Sequence, residues 1–242
     1  GTSGCGKTTL MRMVNAMVAP TSGRVLVRGQ DVAEQDPVAL RRSIGYVLQE
    51  GGLFPHRTIA DNIATVPLLE GAPRRQARAR ALELMDLVGL DRDMAGRYPA
   101  QLSGGQRQRV GVARALANEA DVLLMDEPFG ALDPLVRADL QAELIRIREQ
   151  LGTTILFVTH DIDEAFLLGD QIAVLRTGGR VAQVGTAQEL LSHPADDFVA
   201  DFVGASRAAR PVRIDHRRGG LVVDEAGTPV GTLREPDQGA RP

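Results

Sequence analysis

Apolar positions along the chain recur with a helical period in some stretches and a strand period in others, and the changes of period divide it into elements. Leu10, Met13, Val14 and Met17 fall three and four apart, which predicts a helix over Thr8 to Met17, and Ala19-Pro20-Thr21-Ser22-Gly23 stops it. Arg24-Val25-Leu26-Val27 reads as a short strand ending in Gly29, and Pro37 to Arg42 as a helical turn. Ile44-Gly45-Tyr46-Val47-Leu48 alternates like a strand and delivers Gln49 at its end. The pattern then becomes helical. Thr58 is placed to cap a helix containing Ile59, Ile63 and Val66, and a helix from about Pro73 to Val88 carries the apolar set Ala77, Ala81, Leu84, Met85 and Val88.

A helix over Gln106 to Ala117 turns Val110, Ala113 and Leu116 inward. Val122-Leu123-Leu124-Met125 is a continuous apolar run closed by Asp126 and Glu127, as in a fully buried parallel strand with acids at its carboxyl end. A helix follows from Pro134 to about Gln150, then the strand Thr154-Ile155-Leu156-Phe157-Val158, Thr159-His160-Asp161 and the helix Ile162 to Leu168. Ile172 to Leu175 and Arg180 to Val184, separated by Arg176-Thr177-Gly178-Gly179, form a hairpin pattern. Thr186 caps a short helix to Leu191, and Asp196 to Val203 forms another. The order of strands and helices predicts an α/β domain over residues 1–204, with a helical lobe inserted at about residues 55–100. From Ala205 the composition shifts to Arg, Gly and Pro. We expect a short, poorly ordered tail over 205–242, with one exposed hairpin from Leu221-Val222-Val223-Asp224 and Thr228-Pro229-Val230-Gly231.

Composition narrows the function classes. The chain of 242 residues is long enough for a substantial core, and aromatics at 3% with no Trp leave that core to Leu, Val, Ile and Ala and supply few stacking platforms for bases. Lys and Arg number 28 against 31 Asp and Glu, and no long basic tract offers a phosphate-backbone footprint, so no nucleic acid is implied. Arg74, Arg75, Arg78 and Arg80 read as a solvated helix face. The single cysteine, Cys5, fits a reducing compartment. No apolar run approaches the roughly 20 residues that cross a bilayer, so work at a membrane would require a partner.

The chemistry starts at the first residue. Gly1-Thr2-Ser3-Gly4-Cys5-Gly6-Lys7-Thr8, followed by Thr9, fits the G-x-x-x-x-G-K-[ST] phosphate loop. Its backbone N–H groups cradle an anion, Lys7 reaches the β- and γ-phosphates, and the Thr8 hydroxyl is a Mg²⁺ ligand. A helix opening at Lys7 adds unsatisfied N–H groups and a positive dipole end. Such a loop normally follows a buried strand that aims it, and that strand is expected upstream of Gly1. At the end of the apolar run, Asp126 suits the Mg²⁺ shell and Glu127 the orientation or activation of a water, because a strand end splays consecutive side chains toward different tasks. His160 follows a second apolar strand. Taken alone it would be a structural hydrogen-bonding residue; the surrounding motifs favour a catalytic one.

Together with Leu102-Ser103-Gly104-Gly105-Gln106, these motifs resemble the nucleotide-binding subunit of ATP-binding cassette (ABC) transporters over residues 1–204. The resemblance implies a P-loop NTPase cassette with a RecA-like core and an inserted helical subdomain. Gly1 to Thr8 then looks like the Walker A motif, Gln49 the Q-loop glutamine, Leu102 to Gln106 the signature motif and Val122 to Asp126 Walker B. Glu127 would be the catalytic glutamate, Ala131-Leu132-Asp133 the D-loop and His160 the switch histidine, with Lys7 and Gln49 contributing to catalysis. The expected ligands are ATP and Mg²⁺, the metal held by Thr8, Gln49 and Asp126. Two copies would pack head to tail, with Ser103, Gly104 and Gly105 of one closing over the γ-phosphate held by the other.

Gly45 to Ile63, Val66-Pro67-Leu68-Leu69 and Asp36 to Arg42 are similar to the subfamily importing quaternary-amine osmoprotectants such as glycine betaine, choline, carnitine and proline betaine. The implied setting is the cytoplasmic face of the membrane, peripheral through permease subunits, with an extracytoplasmic substrate-binding protein as an indirect partner. Leu53, Phe54 and Pro55 are the expected permease contact. The sequence departs from the family in lacking its N-terminal antiparallel strands with their adenine-stacking aromatic, and in having a tail too short for paired CBS domains. An importer of another solute, a soluble ABC ATPase of DNA repair or translation, and a catalytically silent module are the rival readings.

Overall fold

The computed structural model describes residues 1–2, 4–48, 51–130 and 132–204, and the strands at 213–215, 221–223 and 229–232. The chain divides into two compact units, one of Gly1–Asp170 with Leu175–Val181, the other of Gln171–Val174 with Ala182–Pro242.

The first unit is built around a parallel sheet in the order β3 (Ile44–Val47), β4 (Val122–Asp126), β5 (Thr154–Val158), paired in register from Ile44 to Val122 and from Val122 to Thr154. Leu123, Leu124 and Met125 are fully buried because both sheet faces are covered. Alternate side chains of a strand point to opposite faces. Accordingly Leu123 and Met125 enter the larger core cluster, with α3 (Ile59–Ile63), α5 (Arg74–Leu87), α6 (Gly104–Leu116) and α7 (Pro134–Leu151), while Leu124 enters the smaller one, with α1 (Lys7–Val14) and α2 (Pro37–Ser43). The continuous apolar run is thus explained by two-sided burial.

Several expectations change in detail. β3 does not alternate: its Ile44, Gly45 and Val47 are buried and Leu48 lies outside it, since as a parallel strand it too is covered on both faces. In α1 the fully buried residue is Met11; of the periodic set, Val14 packs partly against the same cluster, while Leu10 and Met17 are 41% and 60% exposed, Met17 lying beyond the helix end at Val14. β1 shrinks to Leu26–Val27 and pairs antiparallel with β2 (Gln30–Asp31), a strand too short and polar to register as a pattern. Val66 does not share a helix with Ile59. It lies in α4 (Thr65–Leu69), because Pro67 lacks the N–H that would continue α3 through Ile63.

The stretch of about residues 55–100 is helical. Thr58 caps α3 by accepting from Asp61 N, and Ala77, Ala81, Leu84, Met85 and Val88 are all buried along α5 or just past it, leaving Arg74, Arg75 and Arg78 exposed. Arg80 is half-buried and pairs with Glu83 at 3.2 Å. In the second unit, Thr186 and Glu189 form a reciprocal cap on α9 (Ala187–Ser192) and Asp196 caps α10 (Asp197–Val203). The hairpin of β6 (Ile172–Arg176) and β7 (Arg180–Gly185) contributes residues to both units. Where one tail hairpin was expected, β8 (Arg213–Asp215), β9 (Leu221–Val223) and β10 (Pro229–Thr232) form a three-stranded antiparallel sheet; Asp224 and Thr228 lie outside the described residues.

Candidate functional site

The phosphate loop turns into α1 through Gly6, at φ 104° and ψ 8°. An L side chain resists that conformation, and a Cβ there would stand 3.4 Å from Gly179 Cα, so position 6 calls for glycine on two counts. No side chain caps α1, which leaves its first N–H groups free for an anion. Cys5 is buried under the loop, Gly1 is half-buried, and Thr2, Gly4 and Thr9 are exposed; Ser3 lies outside the described residues.

Lys7 donates from Nζ to the carbonyls of Gly1 at 2.9 Å and Thr2 at 3.0 Å, with Cys5 Sγ at 3.9 Å. The side chain expected to meet phosphates also ties the loop to the start of α1. Thr8 Oγ1 donates to Asp126 Oδ1 at 3.0 Å, joining residues 118 positions apart. A hydroxyl and a carboxylate side by side next to the phosphate loop suit Mg²⁺, which takes one or two protein ligands and completes its shell with phosphate oxygens and water. Among the described residues, no group of three or more His, Cys, Asp and Glu forms a separate metal cluster. Gln49, the third expected metal ligand, lies outside the described residues.

Glu127, the next residue, has a different partner. Its φ of 46° is left-handed, a conformation that costs a non-glycine residue on the order of 1 kcal/mol. The surroundings enforce it: Glu127 N donates to Val158 O at 2.9 Å, Gly130 N donates to Glu127 O at 3.2 Å, and the buried Phe129 ring packs 6.0 Å from that of Phe157. The bend turns the Glu127 carboxylate to His160, with Oε2 3.2 Å from Nδ1. His160 is more than half exposed and so can meet a ligand as well as Glu127.

Ser103 caps α6, accepting from Gln106 N at 3.2 Å, while Gln106 Oε1 accepts from Ser103 N at 2.9 Å. Leu102 is buried, Gln106 is half-buried, and Ser103 and Gly104 are exposed. A Cβ on Gly105 would lie 2.4 Å from Val136 Cγ1, so here glycine serves close packing of α6 on α7. Of the residues expected to form the D-loop, Leu132 is half-buried, Asp133 caps α7 by accepting from Val136 N at 3.1 Å, and Ala131 lies outside the described residues.

Two residues that hold this surface did not stand out in the sequence. Asn62 is fully buried; its Oδ1 accepts from Phe54 N at 2.7 Å, and its Nδ2 donates to the carbonyls of Phe54, Arg57 and Thr58 at 2.9–3.1 Å. It thereby fixes the loop that presents Phe54, which is 40% exposed under the Arg57 guanidinium, and Pro55; Leu53 instead turns partly into the core. A polar residue among Ile59, Ala60 and Ile63 on a buried helix was the available signal. Arg114, on α6, donates to the carbonyls of Gly52 at 2.7 Å and Gly51 at 2.8 Å, although burial pushes its guanidinium pKa down. Replacing Asn62 by Ala removes its side-chain partners from Phe54 N and the Arg57 carbonyl, while the Phe54 and Thr58 carbonyls keep the backbone N–H groups of Arg57 and residue 62, and is expected to cost about 1–3 kcal/mol in denaturant unfolding. An unchanged midpoint would show that the loop is held elsewhere.

Residues 1–130 match the family described as ABC transporter. The chain is 53% identical over 207 residues to the glycine betaine/carnitine/choline transport ATP-binding protein OpuCA of Bacillus subtilis, covering 86% of this chain and 54% of that protein. It is 43% identical over 237 residues to the spermidine/putrescine import ATP-binding protein PotA of Nitrosomonas europaea, covering 97% of this chain and 64% of that one. The chain thus spans about half to two-thirds of the length of these relatives. Among solved structures, the post-hydrolysis dimer of the ATP-binding cassette MJ0796, bound to ADP and Pi, is similar with a TM-score of 0.68 and 34% identity over 77% of this chain and 82% of that one. With a family match over more than half its length and a cassette fold around its phosphate loop, this chain belongs to the ABC transporter family.

Proposed function

We propose that the chain hydrolyses MgATP to ADP and phosphate and that this drives solute import through separate permease subunits. The observation that carries the reading is the convergence, at the carboxyl ends of β4 and β5, of Thr8 with Asp126 at 3.0 Å and of Glu127 with His160 at 3.2 Å, beside the Lys7 loop. Thr8 and Asp126, with Gln49, would hold Mg²⁺, which would neutralise charge on the phosphates. Lys7 exchanges its loop carbonyls for phosphate oxygens, and the N–H groups of residues 4–9 cradle the anion. Glu127 orients a water and takes its proton as the water oxygen bonds to the γ-phosphorus; the bond from that phosphorus to the bridging oxygen breaks, and ADP leaves. His160 is held by Glu127 at the edge of the site, where it contacts the γ-phosphate.

The exposed cap of Ser103 and Gly104 is a second anion site, and a second copy packed head to tail brings it to the phosphate loop and completes each nucleotide site. Release of phosphate from MgATP by the purified chain, followed against protein concentration, tests this reading. A rate per chain that rises with concentration supports it, and no release sinks it.

The cargo we propose is a quaternary-amine osmoprotectant of the glycine betaine or choline type, as the name of the Bacillus relative indicates for that protein. A second reading, a polyamine, rests on the Nitrosomonas relative, whose match extends over 97% of the chain and so into the tail. Uptake of labelled choline against labelled spermidine in cells carrying the native permease separates them. No helix among the described residues is long and apolar enough to cross a membrane, and the subunit is held at the cytoplasmic face by its permease. The permease, fed by an extracytoplasmic binding protein, docks on Phe54 and Pro55. Phe54→Ala is expected to weaken transport and permease assembly more than ATP affinity; unchanged assembly would remove Phe54 from the contact.

A further inference from the structure

His160 sits in a turn whose two flanking residues are both held by side chains with no part in the chemistry proposed above. Thr159 Oγ1 donates to Glu164 Oε2 at 2.6 Å and accepts from Asp161 N at 2.9 Å. Glu164 is buried, a position that pushes its carboxyl pKa up, while the Thr159 hydroxyl and Arg137 pull it back toward the charged form. Its other oxygen faces Gln141 Nε2 at 3.5 Å and Arg137 Nε at 3.9 Å. Arg137 also places Nη1 3.5 Å from Asp161 Oδ2 and donates from Nη2 to the carbonyl of Leu132 at 3.4 Å. One guanidinium on the first turn of α7 thus touches the segment before that helix, the residue after His160 and the buried acid that grips the residue before it. Its Nε is buried without a hydrogen bond, so a small rotation could tighten the pair with Glu164.

We propose that Arg137 is a positioning residue that couples Leu132 to the aim of His160 at Glu127. The inference rests on the reading of the chain as an ATPase that closes as a dimer. The Cδ2 atom of Leu132 lies 3.7 Å from where a Cβ on Gly104 would stand, so a second copy closing on Ser103 and Gly104 presses on the residue whose carbonyl Arg137 holds. Displacing that carbonyl moves the guanidinium against Asp161 and Glu164 and shifts the His160 turn. The catalytic pair is therefore best aligned when the partner is seated, and an unpartnered chain hydrolyses little.

Steady-state hydrolysis by the full chain and its Arg137→Gln, Arg137→Lys, Glu164→Gln and Arg137→Gln/Glu164→Gln variants tests the coupling, together with ¹⁵N chemical shifts of the His160 ring without nucleotide. Arg137→Gln is expected to lower kcat by about tenfold, since small misplacements at a reacting centre are costly, with KM for MgATP within about twofold. Arg137→Lys recovers part of the loss, and the double variant is no slower than the slower single one. The His160 ring shifts move in Arg137→Gln and stay near the parent values in Arg137→Lys. Losses that multiply in the double variant, an unchanged kcat, or ring shifts identical in every variant would overturn the proposal. An inactive parent chain would instead defeat the ATPase reading, while the ring shifts still judge whether Arg137 positions His160.

Discussion

Glu127→Gln is expected to leave MgATP bound and to reduce phosphate release by about 10²–10⁴-fold, the usual contribution of a positioned general base. The substitution keeps the size of the side chain. It also leaves the backbone features that impose the bend, the bond from residue 127 N to Val158 O and the anchoring of Phe129 against Phe157, untouched. What disappears is the carboxylate that faces His160 at 3.2 Å and that, in the proposed reaction, takes the proton of the attacking water. Asp126 still meets Thr8, so the metal and phosphate contacts persist and bound nucleotide accumulates instead of turning over. Hydrolysis at the parent rate would move the base to another residue and would leave the left-handed φ of Glu127 without a functional reason.

Lys7→Ala is expected to act on binding. The ammonium contributes charge-assisted bonds to phosphate worth about 1.5–3 kcal/mol, which corresponds to a roughly 10–150-fold loss of ATP affinity. The loop geometry adds a second effect, because Lys7 is also what ties the carbonyls of Gly1 and Thr2 to the start of α1. Without it the loop loses its internal clasp, and the N–H groups must be gathered by the ligand itself. Calorimetric titration with MgATP checks the affinity, and hydrogen exchange at residues 4–9 in the free chain checks the clasp. An affinity equal to the parent's would mean that the backbone N–H groups alone hold the phosphates.

The elements that could be read from the sequence are those in which a single physical cause dominates. Val122 to Met125 is apolar throughout because both sheet faces are covered, and the set from Ala77 to Val88 is spaced by three and four because one face of α5 meets the core. The phosphate loop and the Ser103 cap were legible because their backbone demands specific residue types, glycine at φ 104° and a hydroxyl at the helix start. Where causes competed, the pattern misled. Leu10 looked like a core residue, yet Met11 occupies the smaller cluster, since a helix of eight residues ending at Val14 gives periodicity little length to express itself. Pro67 outweighed the apolar spacing from Ile59 to Val66.

Contacts between residues distant in sequence carried no local signal at all. Nothing near Arg137 announces Asp161 and Glu164, and nothing near Arg114 announces the carbonyls of Gly51 and Gly52. Thr8 and Asp126 are both assigned from the sequence to one Mg²⁺ and lie within 3.0 Å of each other, whereas the Asn62 clasp answers only to the needs of its own loop. Ligand chemistry makes remote residues predictable in a way that internal packing does not.

The central claim is that the nucleotide site is shared between two copies of the chain, the phosphate loop of one closed by Ser103 and Gly104 of the other. The measurement that tests it most directly is the solution mass of the Glu127→Gln chain by sedimentation, with and without MgATP, alongside the same chain carrying Ser103→Arg. The account predicts a monomer without nucleotide, a dimer with MgATP, and a monomer in both conditions once Ser103 is replaced. A mass that MgATP does not change in a chain shown to bind it, or a dimer that forms equally well with Arg at position 103, would contradict it.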